Sequence, residues 1–154
     1  MDLNETIREV IEVIRSETEK NQVVLRLKLA QELPLLLGDR VQLQQVMLNL
    51  ILNGIEAMSR VAGRRRELMI STQIHEDAGV LVKVQDTGEG LDPQLVDQIF
   101  NAFQTTKIGG LGMGLSISRS IVENHNGQLW ATANDGPGAT FEFTLFNRDR
   151  PLEK

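Results

Sequence analysis

Residues 39–58 read DRVQLQQVMLNLILNGIEAM. Asp39 with Gln42 three places on makes a capping box, and the run that follows predicts a long helix reaching about Val61. From position 46 to 58 it is apolar almost all round, which is how a buried helix reads. Asn49 and Asn53 stand four apart and share a face, and Gln42, Gln45 and Glu56 extend the same stripe. Polar groups on such a helix need partners. Either they are core amides bonded to nearby backbone, or they face a ligand. An amide oxygen is a hard donor of the kind Mg²⁺ takes alongside waters and phosphate oxygens.

Outward from this helix the chain mixes helices and strands. Asp2 and Glu5 form another capping box, and Ile7, Val10, Ile11 and Ile14 follow at helical spacing until about Lys20 and Asn21. Residues 23–29 (VVLRLKL) read as a strand, and Pro34 to Gly38 as an extended link. Residues 67–74 and 80–85 read as a hairpin turning through HEDAG. A short helix is expected around 93–100, and a further one over 112–125 that ends at Asn126-Gly127. Strands 128–133 and 140–146 close through NDGPG, and a loose polar tail is expected from 147. The expectation is α+β, one domain over 1–146.

Three more segments carry chemistry. DTGEG (86–90) follows a strand directly. Its alternate glycines let backbone approach a flat ligand, and the Asp86 carboxylate can accept from an exocyclic amine such as adenine's; an acidic turn is the competing reading. GGLGMGLSISRS (109–120) is a glycine run entering a helix. It lacks both the dinucleotide fingerprint, since position 115 is Leu, and a P-loop's Lys-Ser/Thr ending. Bare N–H groups and the positive end of a helix favour an anion there, or the run is a hinge. Between the two lies IFNAFQTTK (99–107), with Phe100 and Phe103 as anchors and Lys107 able to neutralise phosphate or to sit in solvent.

Composition narrows the classes. The chain has 154 residues, 41% hydrophobic and 24% charged, with net charge −5 and no cysteine. That excludes disulfides and thiolate chemistry, agrees with a cytoplasmic setting, and argues against nucleic acid as partner. No apolar run is long enough to span a membrane, and no signal peptide is expected. Arg60, Arg64, Arg65 and Arg66 form a basic cluster that reads as a solvated turn.

Together, in order and spacing, these segments resemble the boxes of the catalytic ATP-binding domain of sensor histidine kinases, in the wider family of gyrase, Hsp90 and MutL. Residues 39–58 resemble the N box, DTGEGLD the G1 box, IFNAFQTTK the F box, GGLGMGLSISRSIVENHNG the G2 box and GPGATFEF the last glycine box. The resemblance implies a two-layer α/β sandwich of Bergerat type, with a mixed sheet against helices and ATP with Mg²⁺ bound in it. It places Mg²⁺ on Asn53, Asn49 near the phosphates, Asp86 on the adenine amine with Gly88 and Gly90 shaping that end, and Thr140 supporting it. Gly110, Gly112 and Gly114 would offer backbone to phosphate, Leu111, Met113, Leu115, Thr105, Thr106 and Lys107 would also bind the nucleotide, and the loop between Asn101 and Leu111 would be a short mobile lid.

In the family's hydrolysing branches a glutamate occupies the position of Asn49. An amide cannot act as a base, so the implied reaction is transfer of the γ-phosphate, with Asn49 and Lys107 assisting. The acceptor would be a histidine on a separate dimerising helical hairpin of the same kinase, and a response regulator receiver domain the next partner. His75, in a turn, and His125, at a helix end, do not fit that acceptor. The full-length kinase is left open as membrane-anchored or soluble. Departures are Gly54 for the usual alanine, and Asn101, Ala102 and Gln104 in the F box. A hydrolysing clamp and a non-catalytic regulatory module of the same fold are the alternatives.

Overall fold

Helix α1 (Leu3–Lys20) starts where Asp2 accepts the Glu5 N–H at 3.4 Å, and it buries Leu3, Ile7, Val10, Ile11 and Ile14 at helical spacing. Asn21 caps its end, and Gln22 at φ 57° turns the chain into β1 (Val23–Lys28). Helix α2 (Arg40–Ser59) follows, with Asp39 accepting the Gln42 N–H at 3.0 Å. Then come the antiparallel pair β2 (Arg66–His75) and β3 (Gly79–Asp86), α3 (Gly114–Asn124), and the hairpin β4 (Leu129–Ala133) and β5 (Ala139–Leu145). The computed structural model describes residues 1–76, 79–92, 94, 96–100 and 114–146.

The strands form one sheet in the order β1-β2-β3-β5-β4. The β1–β2 pair is parallel, because α2 intervenes as a crossover; the other pairs are antiparallel. Mixed sheet and helices make the expected α+β two-layer sandwich. On β3, Val80, Val82 and Val84 point into the core, as do Phe141 and Phe143 on β5. The opposite face is polar, carrying the Lys83–Glu142 pair and Trp130, whose Nε1–H donates to Glu142 at 3.2 Å.

Against this core α2 presents Leu43, Val46, Met47, Leu50, Ile51, Gly54, Ile55 and Met58, an i, i+3, i+4 row. Asn49, Asn53 and Glu56 fall off that row, half-buried, so the stripe expected from sequence exists. A buried polar tie seats α1 on the sheet: Thr72 Oγ1 donates to Asn4 at 3.0 Å, and Asn4 donates to the Ala30 carbonyl at 2.7 Å.

One element differs from expectation. Around 93–100 the described residues hold a single 3-10 helical turn, Val96–Gln98, shorter than the helix expected there. The chain arrives through Gly90 at φ 85°, and Asp92 accepts the Gln94 N–H at 2.9 Å, a side-chain turn that competes with a helical start. The tail from 147 and the segment 101–113 lie outside the described residues. No helix among the described residues is long and apolar enough to cross a membrane.

Candidate functional site

β3 alternates, and its last residue falls on the core side. Asp86 is thereby only 2% exposed, a carboxylate carried inward by strand register. Burial of such a group demands hydrogen bonds. Its Oδ1 accepts the Gly88 N–H at 2.8 Å and the Ala139 N–H at 3.3 Å. Its carbonyl accepts from Asn134 Nδ2 at 3.0 Å. Two neighbouring glycines are steric necessities. A Cβ on Gly88 would lie 2.7 Å from the Ala57 carbonyl carbon, and one on Gly138 (φ 93°) would lie 1.9 Å from the Asp86 carbonyl oxygen. Gly90 packs beside Gly138, at 3.4 Å from its carbonyl oxygen by the same measure.

α2 joins this end to a second one. A Cβ on Gly54 would lie 3.0 Å from Leu68 Cδ1 and 3.4 Å from Asp86 Cβ, so at the departure from alanine α2 sits directly against Asp86. Five residues earlier, Asn49 Nδ2 donates to the Gly114 carbonyl at 3.2 Å and to the Ser118 hydroxyl at 3.1 Å. The two ends are therefore separated by roughly 7–8 Å of helix axis, with Asn53 between them. Gly114 opens α3, whose N-terminal turn favours an anion. Leu115 packs partly buried against the core beside it.

The donor set suits a hard cation next to phosphate. Gly114's carbonyl can only accept, so the Asn49 nitrogen faces α3 and its Oδ1 faces away. Asn53 offers a second amide one turn on, and no cluster of three or more His, Asp or Glu among the described residues would compete for a metal. One or two amide oxygens are few ligands, as Mg²⁺ with a nucleotide requires.

Thr140 makes no direct contact with the Asp86 carboxylate and reaches this end through Asn134, which donates to the Asp86 carbonyl. Its partner across the β3–β5 ladder is Gln85, and the pleat sends both to the face opposite Asp86. Its hydroxyl instead donates to Asn134 Oδ1 at 2.6 Å, bracing the β4–β5 turn. The residue meeting Asp86 is Ala139, through its backbone. A one-residue shift in a strand reverses the face, and only the register shows which neighbour points inward. Thr105, Thr106, Lys107, Gly110, Leu111, Gly112 and Met113 lie outside the described residues.

The histidines behave as structural groups. His75 closes β2, its ring 5.9 Å from that of Phe146. His125 does more than end α3. Its Nδ1–H donates to the Ile121 carbonyl at 2.8 Å while Nε2 accepts the Asp39 N–H at 2.9 Å, tying α3 to the start of α2.

Comparison with known proteins gives the family and the fold. The profile of the family described as histidine kinase-, DNA gyrase B-, and HSP90-like ATPase matches residues 38–149. The chain is 46% identical over 126 residues to the sensor protein FixL of Bradyrhizobium diazoefficiens, which covers 82% of this chain and 25% of FixL. It thus spans about a quarter of that relative's length. The catalytic domain of histidine kinase ThkA superposes with a TM-score of 0.83 at 32% identity, over 96% of this chain and 93% of that one. ThkA in complex with the response regulator protein TrrA matches with a TM-score of 0.80 at 30% identity, over 96% and 41% of the respective chains.

Proposed function

Because the chain belongs to the family of histidine kinase-, DNA gyrase B-, and HSP90-like ATPases, we propose that it binds Mg·ATP and passes the γ-phosphate to a histidine on a separate helical hairpin. One observation carries the reading: the amide pair Asn49 and Asn53 on α2 lies between the buried Asp86 carboxylate, which meets α2 at Gly54, and the N-terminus of α3. Asp86 accepts from the adenine amine. The start of α3 takes the phosphates, and Asn53 with Asn49 Oδ1 holds Mg²⁺. When bound, Mg²⁺ neutralises phosphate charge. Gly110, Gly112, Gly114 and Lys107 supply further donors to the phosphates.

Asn49 favours transfer over hydrolysis. Its amide takes up no proton at neutral pH, so water near the γ-phosphate lacks a base at this position. The imidazole nitrogen of the incoming hairpin needs none, and its attack forms the N–P bond as the Pγ–O bond breaks and ADP leaves. A receiver domain is the onward acceptor, as the TrrA complex of ThkA suggests for that relative. The reaction belongs in the cytoplasm, where ATP is available.

The test supplies the chain with γ-labelled ATP, Mg²⁺ and a phosphoacceptor hairpin from a sensor kinase. Acid-labile label on the hairpin histidine, absent with Asn53→Ala, is the expected result. Steady phosphate release without hairpin labelling would make the chain a hydrolysing clamp instead.

A further inference from the structure

Of the four arginines that read as a solvated turn, Arg60 and Arg64 reach the turn that follows β3 with their side chains, while Arg66 donates to the Asn21, Ser59 and Val61 carbonyls. Arg64 Nη2 donates to the Gly88 carbonyl at 2.8 Å, and its Nε to the Thr87 carbonyl at 3.3 Å. Arg60 meets Glu89 at 3.0 Å. Thr87 Oγ1 accepts the Glu67 N–H and donates to the Arg65 carbonyl, both at 3.0 Å. The Glu89 N–H donates to the Ala57 carbonyl at 3.3 Å. Every residue from Thr87 to Glu89 is thus held from the α2–β2 connection or its flanks.

The geometry points to Arg64 as a positioning residue for purine recognition, acting on Asp86 through a single peptide plane. The Thr87 carbonyl and the Gly88 N–H belong to one planar trans unit and point opposite ways. Arg64 holds the carbonyl end, and the N–H end grips Asp86 Oδ1 at 2.8 Å. Gly88 is required by its contact with Ala57, and glycine restrains its own torsions least, so the plane depends on outside anchors. A guanidinium offers a rigid fork for two adjacent carbonyls, whereas an ammonium is a point donor. This inference rests on Asp86 reading the base, as proposed above.

Arg64 is exposed and lines a solvent-open recess of about 380 Å³ with Gln22, so truncating it removes no core packing. The experiment titrates the wild-type chain, Arg64→Ala, Arg64→Lys and Asp86→Asn with Mg·ATP and with Mg·GTP, and records a melting curve for each. Arg64→Ala is expected to weaken ATP about fivefold and leave GTP unchanged, the size of one ordinary hydrogen-bond effect. Arg64→Lys should recover less than half of that loss, with melting midpoints within about 2 °C of wild type. An unchanged ATP-to-GTP ratio in Arg64→Ala, with the ratio collapsed in Asp86→Asn, would overturn the inference alone. Equal weakening of both nucleotides would overturn it too, as general loosening. If Asp86→Asn itself keeps the ratio, the base reading fails and this inference fails with it.

Discussion

The side-chain amide of Asn49 donates to the carbonyl of Gly114 at 3.2 Å, joining the middle of α2 to the first residue of α3. The same nitrogen reaches Ser118, which is fully buried, at 3.1 Å. Asn49 therefore has two duties, one on each side of its amide. Asn49→Ala should lower stability by about 1 kcal/mol through the lost bonds. Asn49→Asp should cost more, about 2 kcal/mol, because a carboxylate oxygen would face the Gly114 carbonyl. It should also weaken ATP binding, because the amide that ties α2 to the start of α3 is lost. Urea unfolding and calorimetric titration read the two effects separately.

Gly138 and Gly127 are both sterically obligatory, yet only one borders the site. A Cβ on Gly138 would fall 1.9 Å from the Asp86 carbonyl oxygen, and one on Gly127 would fall 1.6 Å from that of Thr144. Each change to alanine should cost about 3 kcal/mol or more, since backbone must move. At a temperature where both variants stay folded, Gly138→Ala should lose ATP affinity and Gly127→Ala should keep it within about twofold. Equal affinity losses would show that the two effects are one of global stability.

His125 ties α2 to α3 at the end remote from Asn49. His125→Ala removes the acceptor for the Asp39 N–H and the ring that packs on Gly38. The expected cost is about 1 kcal/mol, a fall of roughly 2–4 °C in the melting midpoint. ATP affinity should stay within about twofold, because the Asn49–Gly114 contact is untouched. A tenfold loss would show that the helix pair moves as one lever.

Much of this arrangement is legible in the sequence because it is local. Caps at Asp2 and Asp39, the apolar row of α2 and the NDGPG turn each follow from residues a few places apart. The amide stripe and Asp86 are legible for the same reason. That Thr140 reaches Asp86 only through Asn134 is not, because its face depends on pairing with Gln85, a partner 55 positions away. Nor is the task of Arg64, whose partners are main-chain carbonyls that any residue would supply. His125 reads as a helix end, and its link to Asp39 spans 86 positions. The short helix expected over 93–100 is reduced to the 3-10 turn Val96–Gln98, after side-chain turn chemistry at Asp92.

Titrating the chain with ATP in a calorimeter, with and without Mg²⁺ and beside Asp86→Asn, tests the central claim most directly. Saturable binding strengthened by Mg²⁺ and weakened at least about tenfold in Asp86→Asn is the expected result, because the buried carboxylate is the acceptor for the base. A folded wild-type chain that binds no ATP, or an Asp86→Asn variant that binds it equally well, would contradict the account.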